Sequence, residues 1–215
     1  RIATNSQSFP VYKTSDNKFV VSDILNEYNE DRVDAKIKSD DVSKMKLSFT
    51  PSEDIKYNVL VKYGKDYESG ELQYQTSNLN ISSLLVNYDN NYYSLDDPND
   101  AKLEFEAEYI RDERSANRLR DFLCFNSCNQ HAVMEITLPI TYLALEIGDV
   151  VKFDNIIDNL KILGEDYTKE NMRNGQIIYP YFKIIKTKKT LKNITIKVYQ
   201  LHKLVVDTLT MNEIY

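Results

Sequence analysis

The chain has 215 residues, room for one large domain or two small ones, and its 42% hydrophobic and 28% charged residues match a folded protein. Its five glycines are scattered, with no G-x-G pair and no Gly before Lys-Ser or Lys-Thr, which argues against a phosphate cradle. Two histidines leave little for His-rich metal sites or acid–base relays, and a formal charge of −6 is unevenly placed: residues 1–100 hold 11 Lys/Arg against 17 Asp/Glu, residues 101–215 hold 16 of each.

Residues 19–28 predict a short helix capped by Ser22 or Asp23. Asp40 and Asp41 mark a polar turn. Beyond it Met45, Leu47 and Phe49 alternate with Lys44, Lys46 and Ser48, the pattern of a half-buried strand. Pro51 breaks it. Ile55, Tyr57, Val59, Val61 and Tyr63 alternate over a second strand; residues 64–70 turn, and Leu72 and Tyr74 open a return strand. Residues 88–100 read as a polar loop whose acids lack the EF-hand order.

One long helix follows. Asp112 can cap it, and Ala116, Leu119 and Leu123 recur at helical spacing. Residues 133–138 alternate as a strand, Pro139 stops it, and residues 143–147 lead to a turn at Gly148-Asp149. Residues 150–153 leave that turn as another strand, and residues 154–176 form a polar excursion. Residues 177–188 and 191–204 read as a final antiparallel pair. The predicted fold class is α+β and β-rich, with antiparallel β-barrel-like subdomains and one main helix. The predicted division is 1–107 (acidic, β-rich, with the short N-terminal helix), 108–206 (helix, then a β-barrel-like unit) and a tail, 207–215.

Residues 183–203 hold seven Lys and no acid, which could make a patch for nucleic-acid or lipid phosphates. A solvated strand face is the simpler reading, since Ile184, Ile194, Ile196 and Val198 interleave with the lysines and there is no Arg. Arg111, Arg114, Arg118 and Arg120 are four of the chain's seven Arg, and their helix face could meet an acidic partner or an acidic part of the chain. Cys124, Cys128 and His131 could offer three zinc ligands, with His202 or a carboxylate as a fourth. Their spacing fits no common finger, and apolar Phe122, Leu123 and Phe125 favour two buried, reduced thiols on a helix face. Two thiols cannot form a disulfide framework and suit a reducing compartment. No apolar run approaches the ~20 residues of a membrane span. The N-terminus, Arg1-Ile2-Ala3-Thr4-Asn5, has neither a signal core nor an initiator Met, and reads as the start of an excised or processed piece.

The order of motifs is informative. Val59, Val61, Tyr63 and Gly64 end one strand. Glu108-Tyr109-Ile110-Arg111-Asp112 runs into the helix with Ala116 and Leu119, and Leu145-Glu146-Ile147-Gly148-Asp149-Val150-Val151 closes the series. Over residues 37–206 this resembles the tail-hub proteins of bacteriophages, which include the baseplate hubs of contractile tails and the tail-tip attachment proteins of long flexible tails. The resemblance implies a virion structural protein, assembled in the host bacterial cytoplasm as a homo-oligomeric ring, usually a trimer. Such a ring joins the tail tube to spike or fibre proteins and lets the genome pass without specific binding; an acidic N-terminal half is compatible with a lumen that repels phosphate.

Two other readings stand beside it. One is a β-rich module gripping carbohydrate or a cell-surface polymer through the Tyr-rich residues 88–93, against which the absence of Trp counts. The other is a hydrolase using Asp96, Asp97, Asp100 or Glu104, which would need two carboxylates in different environments. Non-enzymatic work is the expectation, with no catalytic, cofactor-binding or metal residue assigned and no cofactor.

Overall fold

The computed structural model describes residues 8–13, 17–80, 102–155, 161, 164–173 and 176–204. Period-two alternation dictates most of its strands, because successive side chains point to opposite faces. In β4 (Lys44–Phe49) Lys44, Lys46 and Ser48 are exposed while Met45, Leu47 and Phe49 turn inward. The same pattern builds β5 (Asn58–Lys65), β9 (Ala132–Pro139) and β13 (Asn193–His202), where Ile194, Ile196 and Val198 are fully buried. Helix α1 (Glu113–Ser127) starts where the Asp112 carboxylate accepts a hydrogen bond from the Ser115 N–H at 2.8 Å. A cap of this kind contributes roughly 1 kcal/mol.

Seven strands form the main sheet, curled as a half-barrel. Their order is β3 (Ala35–Ile37), β10 (Val150–Phe153), β12 (Gln176–Lys189), β13, β9 and β4, with β11 (Asn171–Arg173) paired to β12. One face buries Ile37, Val151, Phe182, Ile184, Ile196 and Ile136 in a continuous core. A smaller sheet joins β5 to β6 (Leu72–Gln75), β7 (Leu79–Asn80) and β8 (Lys102–Ala107). Val59 and Val61 of this sheet share a second core with Ala116, Leu119 and Phe122 of α1. The molecule is β-rich with one main helix, as the sequence predicts. Two pairings, β3–β10 and β5–β8, are nevertheless parallel; parallel neighbours need a crossover, so no hairpin signal announces them.

The helix expected over residues 19–28 does not form. Lys18–Asp23 is β2, antiparallel to β1 (Ser8–Lys13), with Pro10 opposite Val21 and Tyr12 opposite Phe19. β-Branched Val20 and Val21 suit a strand that has a partner. Ile24 imitates helical spacing because it packs against the core shared by α1 and the smaller sheet, and Leu25 and Tyr28 because they lie over a sheet face. Tyr28 packs there with Val150, Tyr179, Tyr181 and Leu201, and Leu25 lies against that cluster. The main sheet also crosses the expected boundary at residue 107, since β3 and β4 pair with β10 and β9.

Strand β12 is irregular twice. Between Ile178 and Phe182 the register shifts around buried Pro180, which has no N–H to donate. Further on, Ile184 faces Val198 but Lys186 faces Lys197, so Ile185 is an extra residue, 41% exposed. One extra residue inverts side-chain parity, and Lys186 and Lys188 therefore leave on the face opposite to Ile184.

Gly64 and Gly70 both have positive φ, +73° and +79°, yet differ in space: a Cβ on Gly64 would lie 2.6 Å from Tyr74 Cδ2, whereas a Cβ on Gly70 meets nothing within 4 Å. Gly70→Ala should cost about 1–2 kcal/mol, for backbone alone. Gly64→Ala should cost more, up to about 3 kcal/mol, because Tyr74 must also move. Urea unfolding of both variants checks this; equal losses would mean that Tyr74 yields freely.

Candidate functional site

Cys124 and Cys128 lie at the end of α1, both buried and both free thiols. The Cys124 thiol points at the Tyr57 carbonyl (3.5 Å), and the Cys128 thiol at the Phe125 carbonyl (3.4 Å) and Gln176 Oε1 (3.5 Å). Burial pushes the Cys124 thiol far up and the Cys128 thiol up to about 12, so neither offers the thiolate that binds metal. His131 turns elsewhere: Nδ1 lies 2.8 Å from the Gln200 carbonyl and Nε2 2.6 Å from the Asn126 carbonyl. Among the described residues no three His, Cys, Asp or Glu gather closely enough to hold a metal ion.

The histidines pair instead. His131 stacks on His202 with centroids 3.8 Å apart and on Tyr199 at 4.2 Å. Burial, with a smaller contribution from nearby Arg173, lowers the His131 pKa to about 4 despite the two carbonyls that favour its charged form. Burial and then the His131 and Arg173 charges hold His202 well below the usual histidine range. Among the described residues neither His202 ring nitrogen has a hydrogen-bond partner. Both rings belong to a packed, uncharged interior.

The surface is more informative. Hairpin β1–β2 carries its apolar residues outward: Phe19 is 83% exposed, Val21 63% and Tyr12 43%, with the Tyr12 and Phe19 rings 5.0 Å apart. Its inner side is fixed, because Val11 is buried against Gly148 beside Ser22 and Lys13 Nζ meets Asp149 Oδ1 at 3.2 Å. A groove of about 560 Å³, lined by Pro10, Ile24, Ile147, Ile185 and Leu201 among others, adjoins this hairpin. Monomers expose isolated apolar residues routinely; a clustered patch of this kind marks a contact surface.

The lysines of residues 183–203 divide. Lys183 is buried and donates to the Asp23 carbonyl, and burial brings its pKa down to about 8. Lys189 pairs with Glu146 at 2.7 Å and Lys203 with Glu27 at 3.4 Å, while Lys186, Lys188 and Lys197 are exposed. The arginines divide too. Arg120 is buried, bound to Asp121 and to the Ser77 hydroxyl and carbonyl, while Arg111 stands over the Tyr67 ring and Arg114 and Arg118 are exposed. Arg120 thus meets an acidic residue of the chain itself, and Arg111 an aromatic one. Glu104 lies between Lys102 (2.7 Å) and Lys62 (3.0 Å), and hydrogen bonds from those two ammonium groups, Lys102 first, hold it down to about 2, unsuited to a general acid. Asp96, Asp97, Asp100 and residues 88–93 lie outside the described residues.

No family model matches the sequence, and no curated protein matches it. Some solved structures are similar to it over most of its length. A chain of the virion of the native gene transfer agent particle superposes with a TM-score of 0.56 over 96% of this chain, at 11% identity. The 43 kDa tail protein of prophage MuSo2 from Shewanella oneidensis gives 0.45 over 94%, at 11% identity, and a prophage tail protein from Listeria monocytogenes EGD-e gives 0.44 over 96%, at 14%. This chain spans 39% of the gene-transfer-agent chain and 53% and 52% of the two tail proteins.

The stacked histidines set a pH dependence. Unfolded histidine takes up its proton near pH 6.5, whereas folded His131 resists until about 4. Stability should be flat in these groups above pH 6.5 and fall as pH drops towards 4, by about 3 kcal/mol for His131 alone. His202→Phe keeps the stack and removes one titration, so its loss between pH 6.5 and 5 should be about half that of the wild type in urea unfolding.

Proposed function

We propose that the protein is a structural component of a bacteriophage tail hub or baseplate, working as a homo-oligomeric ring, a trimer in the favoured form, between the tail tube and the tip or spike apparatus. The observation that carries this reading is the apolar outer face of hairpin β1–β2 beside an apolar groove, on a fold like that of a virion chain. Phe19, Val21 and Tyr12 are large side chains whose burial would contribute on the order of 1–3 kcal/mol each. A neighbouring subunit or tail protein is the natural cover, since aromatic residues concentrate at such contacts. The order of motifs from Val59 to Val151 supports the same reading, and the buried thiols, the buried histidines and the paired Glu104 suit a scaffold better than catalysis.

Size-exclusion chromatography with light scattering, followed by electron microscopy, tests the proposal. A ring with a central opening is the expected result. Phe19→Ser with Val21→Ser should shift the population towards monomer while leaving the thermal midpoint within a few degrees, because both side chains are already in water in the single chain. A strict monomer at all attainable concentrations would count against the ring.

A further inference from the structure

Strand pairing builds a second surface that no stretch of sequence reveals. Lys44 and Lys46 of β4, Lys197 of β13 and Lys186 and Lys188 of β12 are all exposed on the face of the main sheet opposite the Ile136–Ile196 core. Register sets the face in two rows. One row reads Lys44, Thr137, Thr195, Lys188; the next reads Lys46, Glu135, Lys197, Lys186. At ~4.8 Å per strand and ~7 Å per pair of residues, the grid spans roughly 14 by 7 Å. Thr137 Oγ1 and Thr195 Oγ1, 3.3 Å apart, put hydroxyls between the outer lysines. Five lysines against the single Glu135 leave four positive charges on a chain whose net charge is −6. Among the described residues none of the five is held in an ion pair.

The chemistry of the grid selects its occupant. A protein partner holds through a desolvated apolar or aromatic anchor, and the grid contains neither. A phosphate backbone needs only fixed cations and hydroxyl donors, with released counterions supplying the free energy. We infer that this face binds the phosphate backbone of duplex DNA without reading its sequence. Lysine suits that task as a point charge, and the absence of arginine removes bidentate recognition of bases. The Ile185 bulge is what brings Lys186 and Lys188 to this face.

Fluorescence anisotropy of the full chain with a short, fluorescein-labelled, mixed-sequence duplex tests the inference. Four neutralised phosphates predict a slope of about −3.6 in log K against log salt, roughly a hundredfold weakening between about 50 and 200 mM. Replacing Lys44, Lys46 and Lys197 together by Gln should flatten the slope by about 2.7, and Lys18→Gln with Lys169→Gln should leave it unchanged. Glu135→Lys removes one negative and adds one positive charge, so it should tighten binding and steepen the slope by about 1.8, a gain that misfolding cannot imitate. A duplex of different sequence should bind equally well. Absence of binding at low salt, or a triple variant that binds like the wild type, would overturn the inference. Displacement of the duplex by poly-L-glutamate at a lower concentration of charge than by unlabelled duplex would also overturn it, and would make the face a dock for an acidic protein.

Discussion

The main sheet depends on one row of contacts along β13. Ile194, Ile196 and Val198 are fully buried and stand opposite Leu138, Ile136 and Met134 of β9, themselves fully buried. Each such side chain contributes on the order of 1.5–3 kcal/mol by leaving water. Because β13 lies between β12 and β9, it fixes both neighbours, and through them β10, β3, β11 and β4. A single residue of slip would turn this whole row to the other face. Everything placed on the sheet inherits its position from that row, including the covered Tyr179–Tyr181 region and the open lysine rows.

The turn at Gly148-Asp149 performs a related task for the periphery. Gly148 donates its N–H to the Ile184 carbonyl and Asp149 accepts from the Ile184 N–H, which ties the turn to β12. The Asp149 carboxylate accepts from the Glu146 N–H and meets Lys13. Gly148 has φ +97°, and a Cβ there would lie 2.8 Å from Ser22 Oγ. Sheet, turn and hairpin thus form a chain of contacts by which a core that buries its apolar residues holds an apolar surface outward.

What the sequence reveals follows from how local each signal is. Strands β4, β5 and β13 are legible because alternation lies within six to ten consecutive residues. Asp112 is legible as a cap because its acceptor role is completed three residues on, at Ser115. By contrast, Ile24, Leu25 and Tyr28 imitate a helix, since apolar spacing says which residues are covered and not by what backbone. Strand β8 lies in parallel beside β5 with no hairpin to mark it. The sequence also shows seven lysines between residues 183 and 203 but cannot sort them, because the sorting depends on partners far away: Asp23 for Lys183, Glu146 for Lys189, Glu27 for Lys203. Lys44 and Lys46 join the exposed remainder only through β9, more than 85 residues further along the chain.

The bulge at Ile185 is one place on the sheet where chain length can vary without changing the surface. Substituting that residue changes one partly exposed side chain. Deleting it would leave Ile184 opposite Val198 and Lys186 opposite Lys197 in unbroken alternation, with Lys186 and Lys188 still on the open face and Thr187 and Lys189 still on the core side. Lys189 would keep its place beside Glu146, and it is instead a ladder that paired Ile185 with Lys197 that would turn Lys186 and Lys188 inward. At this point of the strand, divergence by substitution and divergence by a one-residue gap are both open to the protein, because the pairings on either side hold the ladder without the extra residue.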